Sequence, residues 1–229
     1  MAEKVEFASN GAGAEGYLAL PPAGSGPAVI VIQEWWGLVP HIHALVERLA
    51  GEGFLALAPD LYHGVATREP DEAGKLMMAL EIPRAAADIA GAADYLAARD
   101  ETAGGIGVVG FCMGGTLALW TPTVSDRVVA AAGFYPAPFR GWADLDAQWA
   151  RYHGKSAVIH AAEGDGGSGA GNVTDAVAAI TAAGGEVSVY DYPGSQHAFF
   201  NDTRPEVYHP SAAATAWQRT VEFFRGTLA

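Results

Sequence analysis

One thiol lies in the stretch whose residue types best suit nucleophilic chemistry. Cys112 is the single cysteine of the 229 residues and belongs to the hexapeptide GFCMGG at 110–115. Residues 105–109 predict a short strand and residues 116–120 the start of a helix. A turn between them would place the thiol at a helix N-terminus, where the macrodipole favours the thiolate and glycines permit the tight bend. The alternative is a buried structural cysteine.

Two further residues could serve this nucleophile. Asp165 follows a strand predicted at 157–161, and His197 follows one predicted at 187–190. Sites in parallel sheets lie beyond the carboxyl ends of the strands, so we expect both side chains beside Cys112. His197 would take the thiol proton and later protonate the leaving alcohol, while Asp165 would fix the imidazole tautomer. Taken singly, Asp165 could be a turn residue and His197 a loop residue, but their joint placement favours a triad.

A carboxylate also follows the first long apolar strand, predicted at 28–32. Glu34 would be costly to bury there unless it is hydrogen-bonded or faces a cleft, and a cleft beside the thiol would accommodate it. The alternative is a solvated loop glutamate. The backbone N–H groups of Trp35 and Met113 are predicted to form an oxyanion hole, where one donor typically contributes ~3 kcal/mol to transition-state stabilisation.

The sequence gives little support for a metal site. His41 and His43 fall on different faces of a helix predicted at about 41–50, and no H-x-x-x-H or C-x-x-C pair occurs. We therefore predict neither a metal nor an organic cofactor.

The elements that must position these residues alternate along the chain. Residues 5–8 and 15–20 predict a β-hairpin. Further strands are predicted at 28–32, 54–58, 105–109, 128–135, 157–161 and 187–190, and helices at 41–50, 76–80, 84–98, 170–183 and from about 205 or 211 to 224. Residues 63–72 predict a loop. This pattern is typical of an α/β protein with one doubly wound, mostly parallel sheet and an antiparallel N-terminal hairpin, and we expect residues 1–229 to form a single domain.

Composition narrows the classes of partner. Thirteen Lys and Arg against 26 Asp and Glu give a formal net charge of −13, which would repel nucleic acid and anionic membranes. The apolar runs are far shorter than the ~20 residues of a membrane-spanning helix. One cysteine excludes an internal disulfide, and the N-terminus lacks the pattern of a secretory signal, so the default expectation is a cytoplasmic location. We expect a small-molecule partner and a monomer or small homo-oligomer.

Five short segments extend over nearly the whole chain: QEWWG at 33–37, APDLY at 58–62, GFCMGG at 110–115, GD at 164–165 and HAF at 197–199. In this order they resemble the dienelactone hydrolase family (carboxymethylenebutenolidases). The resemblance implies an α/β-hydrolase fold, a triad of Cys112, Asp165 and His197, and hydrolysis of a lactone or ester through an acyl-thioester. It also implies that Glu34 meets the resting thiol and helps to form the thiolate when substrate binds.

The sequence departs from this family where a substrate carboxylate would bind. Dienelactone-cleaving members are expected to use two arginines, one in the loop after Asp-Leu-Tyr and one four residues beyond the triad histidine. Asn201 occupies the second position, and Arg204 could substitute for it. For the first position, in the loop after Asp-Leu-Tyr, Arg68 is the better candidate and Arg84 is the weaker one. We predict substrate contacts from Trp36, Arg68, Tyr135, Phe199 and Asn201.

Two alternatives remain open at this point. The rings of Trp35, Trp36, Tyr135 and Phe199 would line an apolar pocket or belong to ordinary core packing. An esterase or thioesterase acting on uncharged substrates is the first alternative function, and a non-catalytic binding member of the fold is the second.

Overall fold

Eight strands form one mixed sheet in the computed structural model, which describes residues 2–9, 11–138 and 149–229. In chain order they are β1 (Ala2–Ser9), β2 (Ala12–Ala19), β3 (Gly26–Ile32), β4 (Leu55–Pro59), β5 (Thr102–Phe111), β6 (Val128–Phe134), β7 (Ser156–Ala162) and β8 (Glu186–Tyr192). Their spatial order is β1-β2-β4-β3-β5-β6-β7-β8. β2 pairs antiparallel with both β1 and β4, and all other neighbouring strands pair in parallel. The mostly parallel sheet with an antiparallel N-terminal hairpin confirms the predicted fold class.

Helices cover this sheet. They are α1 (Pro40–Gly51), α2 (Pro70–Ala79), α3 (Ile82–Ala97), α4 (Met113–Val124), α5 (Gly171–Ala182) and α6 (Pro210–Leu228). One contact joins α1 to α6: the guanidinium of Arg48 stacks 3.9 Å from the ring centroid of Trp217. The central strands β3, β4 and β6 are buried along nearly their whole length, and β5 is buried from Ile106 to its end, as expected for parallel strands covered on both faces. No helix in the described ranges is both long and apolar enough to cross a membrane.

The start of α2 corrects the sequence prediction. The helix begins at Pro70, inside the segment 63–72 that was expected to be a loop. Proline suits the first helical position because its missing N–H would have no partner there, and Asp71 and Glu72 in the first turn interact favourably with the helix dipole. The same rule places the start of α6 at Pro210, close to the later of the two predicted starts.

A buried histidine links β7 to β8 and α6. His160 is fully buried, with Nδ1 2.8 Å from the Tyr192 hydroxyl and Nε2 2.9 Å from the Thr220 hydroxyl. Thr220 donates its own proton to the carbonyl of Ala216, so it accepts from Nε2–H of the imidazole. Burial, with a smaller contribution from the positive charge of Arg219, lowers the pKa of His160 to about 3. The imidazole is therefore neutral in the folded protein.

This histidine predicts a loss of stability in acid. In the unfolded chain the imidazole has its ordinary pKa of about 6.5, so between about pH 6.5 and pH 3 the unfolded state binds a proton that the folded state does not. The stabilisation is fully present above that window and decreases as the pH falls through it. From about pH 7 to pH 5, wild type should lose about 2 kcal/mol more unfolding free energy than His160→Gln, measured by urea denaturation. Equal losses in the two proteins would contradict the assignment of a neutral His160.

Candidate active site

Cys112 occupies a strained turn between β5 and α4. Its φ of 56° lies in the left-handed region, which is costly for a residue with a side chain. A Cβ on Gly110 would collide with the carbonyl oxygen of Gly114, and one on Gly114 would collide with that of Gln33. Only glycine at these two positions allows the strand and helix to approach this closely. The sequence GFCMGG therefore forms the sharp strand-to-helix turn that its glycines predict.

Backbone hydrogen bonds hold this turn from both sides. The Cys112 N–H donates to the carbonyl of Phe134 at 3.1 Å, and the Cys112 carbonyl accepts from Ala137 N at 3.0 Å. The cysteine is 9% exposed. Met113 is the first residue of α4, so its N–H has no acceptor within the helix. An oxygen placed against the thiol could use that donor.

The carboxylate and the imidazole meet as predicted from their positions after β7 and β8. Asp165 Oδ2 lies 2.7 Å from His197 Nδ1, and the side chains are 32% and 36% exposed, respectively. Two contacts join the loops that carry them: Gly164 N donates to the Ser195 carbonyl at 2.9 Å, and Gly194 N donates to Glu163 Oε2 at 2.8 Å. These contacts fix the separation of the two loops.

His197 lines the same cavity as Cys112, and the thiol affects its pKa. Burial alone would lower the pKa of His197, but hydrogen bonds to Asp165 and Cys112, together with the negative charges of both, outweigh burial and raise it to about 10. These interactions favour the protonated imidazole. A protonated imidazole is the partner that a thiolate needs, and it holds the proton required later by a leaving group.

Glu34 is buried behind the thiol and hydrogen-bonded. It is 1% exposed; Oε1 accepts from the Tyr135 hydroxyl at 3.3 Å and Oε2 from Asn201 Nδ2 at 2.8 Å. The Asn201 carbonyl oxygen accepts from the N–H and the hydroxyl of Thr203, at 3.0 and 2.6 Å, so the amide group must direct its N–H toward Glu34. Both carboxylate oxygens thus have a donor, which meets the condition set for burying Glu34.

The segment 34–37 also carries the second predicted oxyanion donor. Gly37 has φ +87°, and a Cβ there would lie 2.5 Å from the carbonyl oxygen of Val65. Thr67 N donates to the Trp36 carbonyl at 3.0 Å. The loop after β4 therefore packs directly against the turn that carries the N–H of Trp35, and supports its position.

Two cavities adjoin this site and share Trp36 and Arg204. The inner cavity, about 210 Å³, is lined by Glu34, Trp35, Trp36, Met77, Cys112, Ala137, His197, Ala198 and Arg204. The outer cavity, about 440 Å³, is lined by Trp36, Val39, Pro40, His41, Thr67, Arg68, Pro70, Asn201, Thr203, Arg204 and Glu206. Within the described residues, no group of three or more His, Cys, Asp or Glu side chains could hold a metal ion.

The structure brings some of the predicted substrate contacts to these cavities. Trp36 borders both, Arg68 and Asn201 border the outer one, and the described lining of either cavity does not include Arg84. Phe199 is fully buried, with its ring 5.4 Å from Tyr135 and 4.9 Å from Tyr192. This placement corrects the expectation that the rings of Tyr135 and Phe199 line the pocket. Both rings pack in the core beneath it, because the chain turns inward after His197.

Sequence reasoning overlooked three features of the site. Met77 reaches the inner cavity from α2, a helix whose start was misplaced. Tyr135 and Asn201 were assigned only to substrate, whereas both donate a hydrogen bond to Glu34. The backbone of Tyr135, directly after β6, is strained at a φ of +34°, and no sequence pattern predicts this.

Comparison with known proteins places this geometry in a family. The model of the dienelactone hydrolase family matches residues 14–228. "Protein usf" of Aquifex pyrophilus is 37% identical over 236 residues, and a protein of Aquifex aeolicus named "Putative carboxymethylenebutenolidase" is 35% identical over 240 residues; each match covers 100% of both chains. A solved structure from Klebsiella pneumoniae, described as a "Putative Dienelactone Hydrolase", has a TM-score of 0.83 and 26% identity over 98% of each chain.

Proposed function

Because the chain belongs to the dienelactone hydrolase family and is a hydrolase of the α/β-hydrolase fold, we propose that it cleaves a carboxylic ester or lactone through an acyl-thioester on Cys112. The observation that best supports this proposal is the grouping of three side chains. Asp165 Oδ2 lies 2.7 Å from His197 Nδ1, and His197 lines the same cavity as Cys112.

The first half of the reaction transfers the acyl group. With its proton on His197, the Cys112 sulfur attacks the carbonyl carbon, an S–C bond forms, and the carbonyl electron pair moves onto oxygen. The N–H groups of Trp35 and Met113 stabilise that negative charge. Collapse breaks the C–O bond, and His197 gives its proton to the departing alkoxide.

The second half releases the acid. Neutral His197 takes a proton from water, whose oxygen attacks the thioester carbonyl. Collapse breaks the C–S bond, which returns the thiolate and the protonated imidazole and leaves the carboxylic acid. Asp165 holds the imidazole in one orientation throughout, and Glu34, fixed by Tyr135 and Asn201, forms one wall of the acyl site.

Alkylation of the single thiol tests this assignment. Iodoacetamide should abolish hydrolysis of a p-nitrophenyl ester in proportion to the fraction of Cys112 modified. Added substrate should slow the modification of Cys112 and the loss of activity equally. Full activity after complete alkylation would exclude the thiol mechanism. A thiol that is unreactive in a protein without esterase activity would favour the binding-module alternative.

The relative turnover of an anionic dienelactone and a neutral p-nitrophenyl ester separates the two substrate classes within this proposal. The exposed Arg68 is the anchor we propose for a substrate anion. Arg68→Ala should raise KM about two- to fivefold for anionic substrates and leave neutral esters unchanged, since exposed ion pairs contribute only ~0.2–1 kcal/mol. Lys75→Ala, an exposed site on α2 with the same change in charge, is the matched control. An equal effect of Arg68→Ala on neutral esters would contradict the anchor.

A further inference from the structure

The inner and outer cavities differ in size and in chemistry. The inner one surrounds the thiol and has a volume of about 210 Å³, whereas the outer one has about 440 Å³. Trp36 and Arg204 belong to the lining of both, so the two cavities are neighbours. A substrate bound at Cys112 can therefore extend into both, with its reacting carbonyl near their junction.

The walls of the inner cavity are mainly apolar. Trp35, Trp36 and Met77 provide the larger part, and Ala137 and Ala198 lie beside the catalytic groups. Glu34 also lies in this wall, but each of its oxygens already accepts a hydrogen bond. An apolar cavity of ~150 Å³ accommodates benzene, so this one fits a group of about eight heavy atoms. The cavity thus suits a short aliphatic or single-ring group.

The outer cavity has a mixed lining, in which Val39, Pro40 and Pro70 are apolar and the polar groups include the exposed Arg68 and Glu206. Arg68 and Arg204 supply guanidinium donors, whereas the hydroxyls of Thr67 and Thr203 donate to Glu72 and Asn201 and can act only as acceptors for a substrate. Glu206, whose side chain is 59% exposed, forms an ion pair with Arg204 at 2.9 Å, which restrains the guanidinium. A polar group could bind here and then leave directly into water.

The order of the chemistry assigns the two halves of the substrate. After the first step the acyl group stays bonded to the sulfur, so it needs a site beside Cys112, whereas the alcohol takes a proton from His197 and departs. We infer that the enzyme acts on acyclic esters with a short apolar acyl group in the inner cavity and a polar alcohol group in the outer cavity. This inference rests on the proposed function. A small lactone joins acyl and alcohol in one ring and would leave the outer cavity empty.

Met77 is the residue that limits the length of the acyl group. It reaches the inner cavity from α2, which buries only Ala73, so substitution of Met77 disturbs little of the core. Its neighbour Met78 is 66% exposed and does not contribute to the described lining. The two methionines therefore form a matched pair for an experiment.

The test measures kcat/KM for p-nitrophenyl esters from acetyl to decanoyl, with wild type, Met77→Ala, Met77→Trp and Met78→Ala. Each buried methylene contributes about fourfold to binding. Met77→Ala, which removes three heavy atoms and so makes room for roughly two to three methylenes, should raise the decanoyl-to-butanoyl ratio on the order of tenfold or more. Met77→Trp should lower the octanoyl-to-acetyl ratio by a similar factor, and Met78→Ala should match wild type.

A second series measures kcat/KM for butanoyl esters of different alcohols. Butyrolactone is the cyclic substrate in this series. We expect the ranking of alcohols to be the same in wild type and Met77→Ala, and the acyclic esters to exceed the lactone at least tenfold. A shift in the alcohol ranking, a preference for the lactone, or acyl profiles that are the same for both Met77 variants would overturn the inference. Failure of the proposed function is distinct, because hydrolysis would then persist in Cys112→Ala.

Discussion

Replacement of Cys112 by alanine should reduce kcat/KM for any ester substrate by a factor on the order of 10⁴ or more, because the nucleophile itself is removed. The fold should be unchanged. Alanine keeps the Cβ and so experiences the same backbone strain at φ 56°, and the glycines that form the turn remain. Initial rates and thermal unfolding of the two proteins provide the measurement.

Cys112→Ser is the closer control for this substitution. It preserves the shape of the side chain but replaces the thiolate by a hydroxyl, which His197 must deprotonate during the reaction. Residual activity above that of Cys112→Ala would show that the imidazole acts as a base at this position. Wild-type rates in Cys112→Ala would refute covalent catalysis at this thiol.

Replacement of Asp165 by asparagine should give the second largest loss, about 10³- to 10⁴-fold in kcat. The amide is nearly the same size but removes the charge that stabilises the imidazolium, and it can donate to Nδ1, which selects the wrong tautomer. Because the carboxylate is one of the groups that raise the pKa of His197 to about 10, that pKa should also fall. Steady-state kinetics and an NMR titration of the imidazole provide the two readouts.

Asp175→Asn makes the same chemical change at an exposed position of α5 and should leave both readouts at wild-type values. If Asp165→Asn lowered kcat without moving the pKa of His197, the carboxylate would act through loop structure and not through the imidazole. Wild-type kcat in Asp165→Asn would remove this residue from the mechanism.

Much of the fold follows from local patterns in the sequence. The apolar runs that became β3, β5 and β7 must be buried on both faces, and the glycines around Cys112 permit only a sharp turn at the end of β5. Because parallel strands share one carboxyl edge, the residues that follow them meet there. This argument brings Asp165 to His197 across 32 residues of sequence.

The surroundings of Glu34 could not be predicted in the same way. Its two donors, Tyr135 and Asn201, lie 101 and 167 residues away, and neither belongs to a motif that identifies its partner. These two hydrogen bonds depend on how far along the sheet edge each of the loops begins. Met77 was overlooked for a related reason, since its place in the inner cavity depends on how α2 lies over the site.

An acyl group trapped on the protein tests the central claim most directly. Wild type mixed with excess p-nitrophenyl ester and quenched in acid within one turnover should gain the mass of a single acyl group, and peptide mapping should locate it on Cys112. A neutral hydroxylamine wash should remove it, as expected for a thioester. A protein that turns over the ester without ever carrying an acyl group, or that carries it on another residue, would contradict the mechanism.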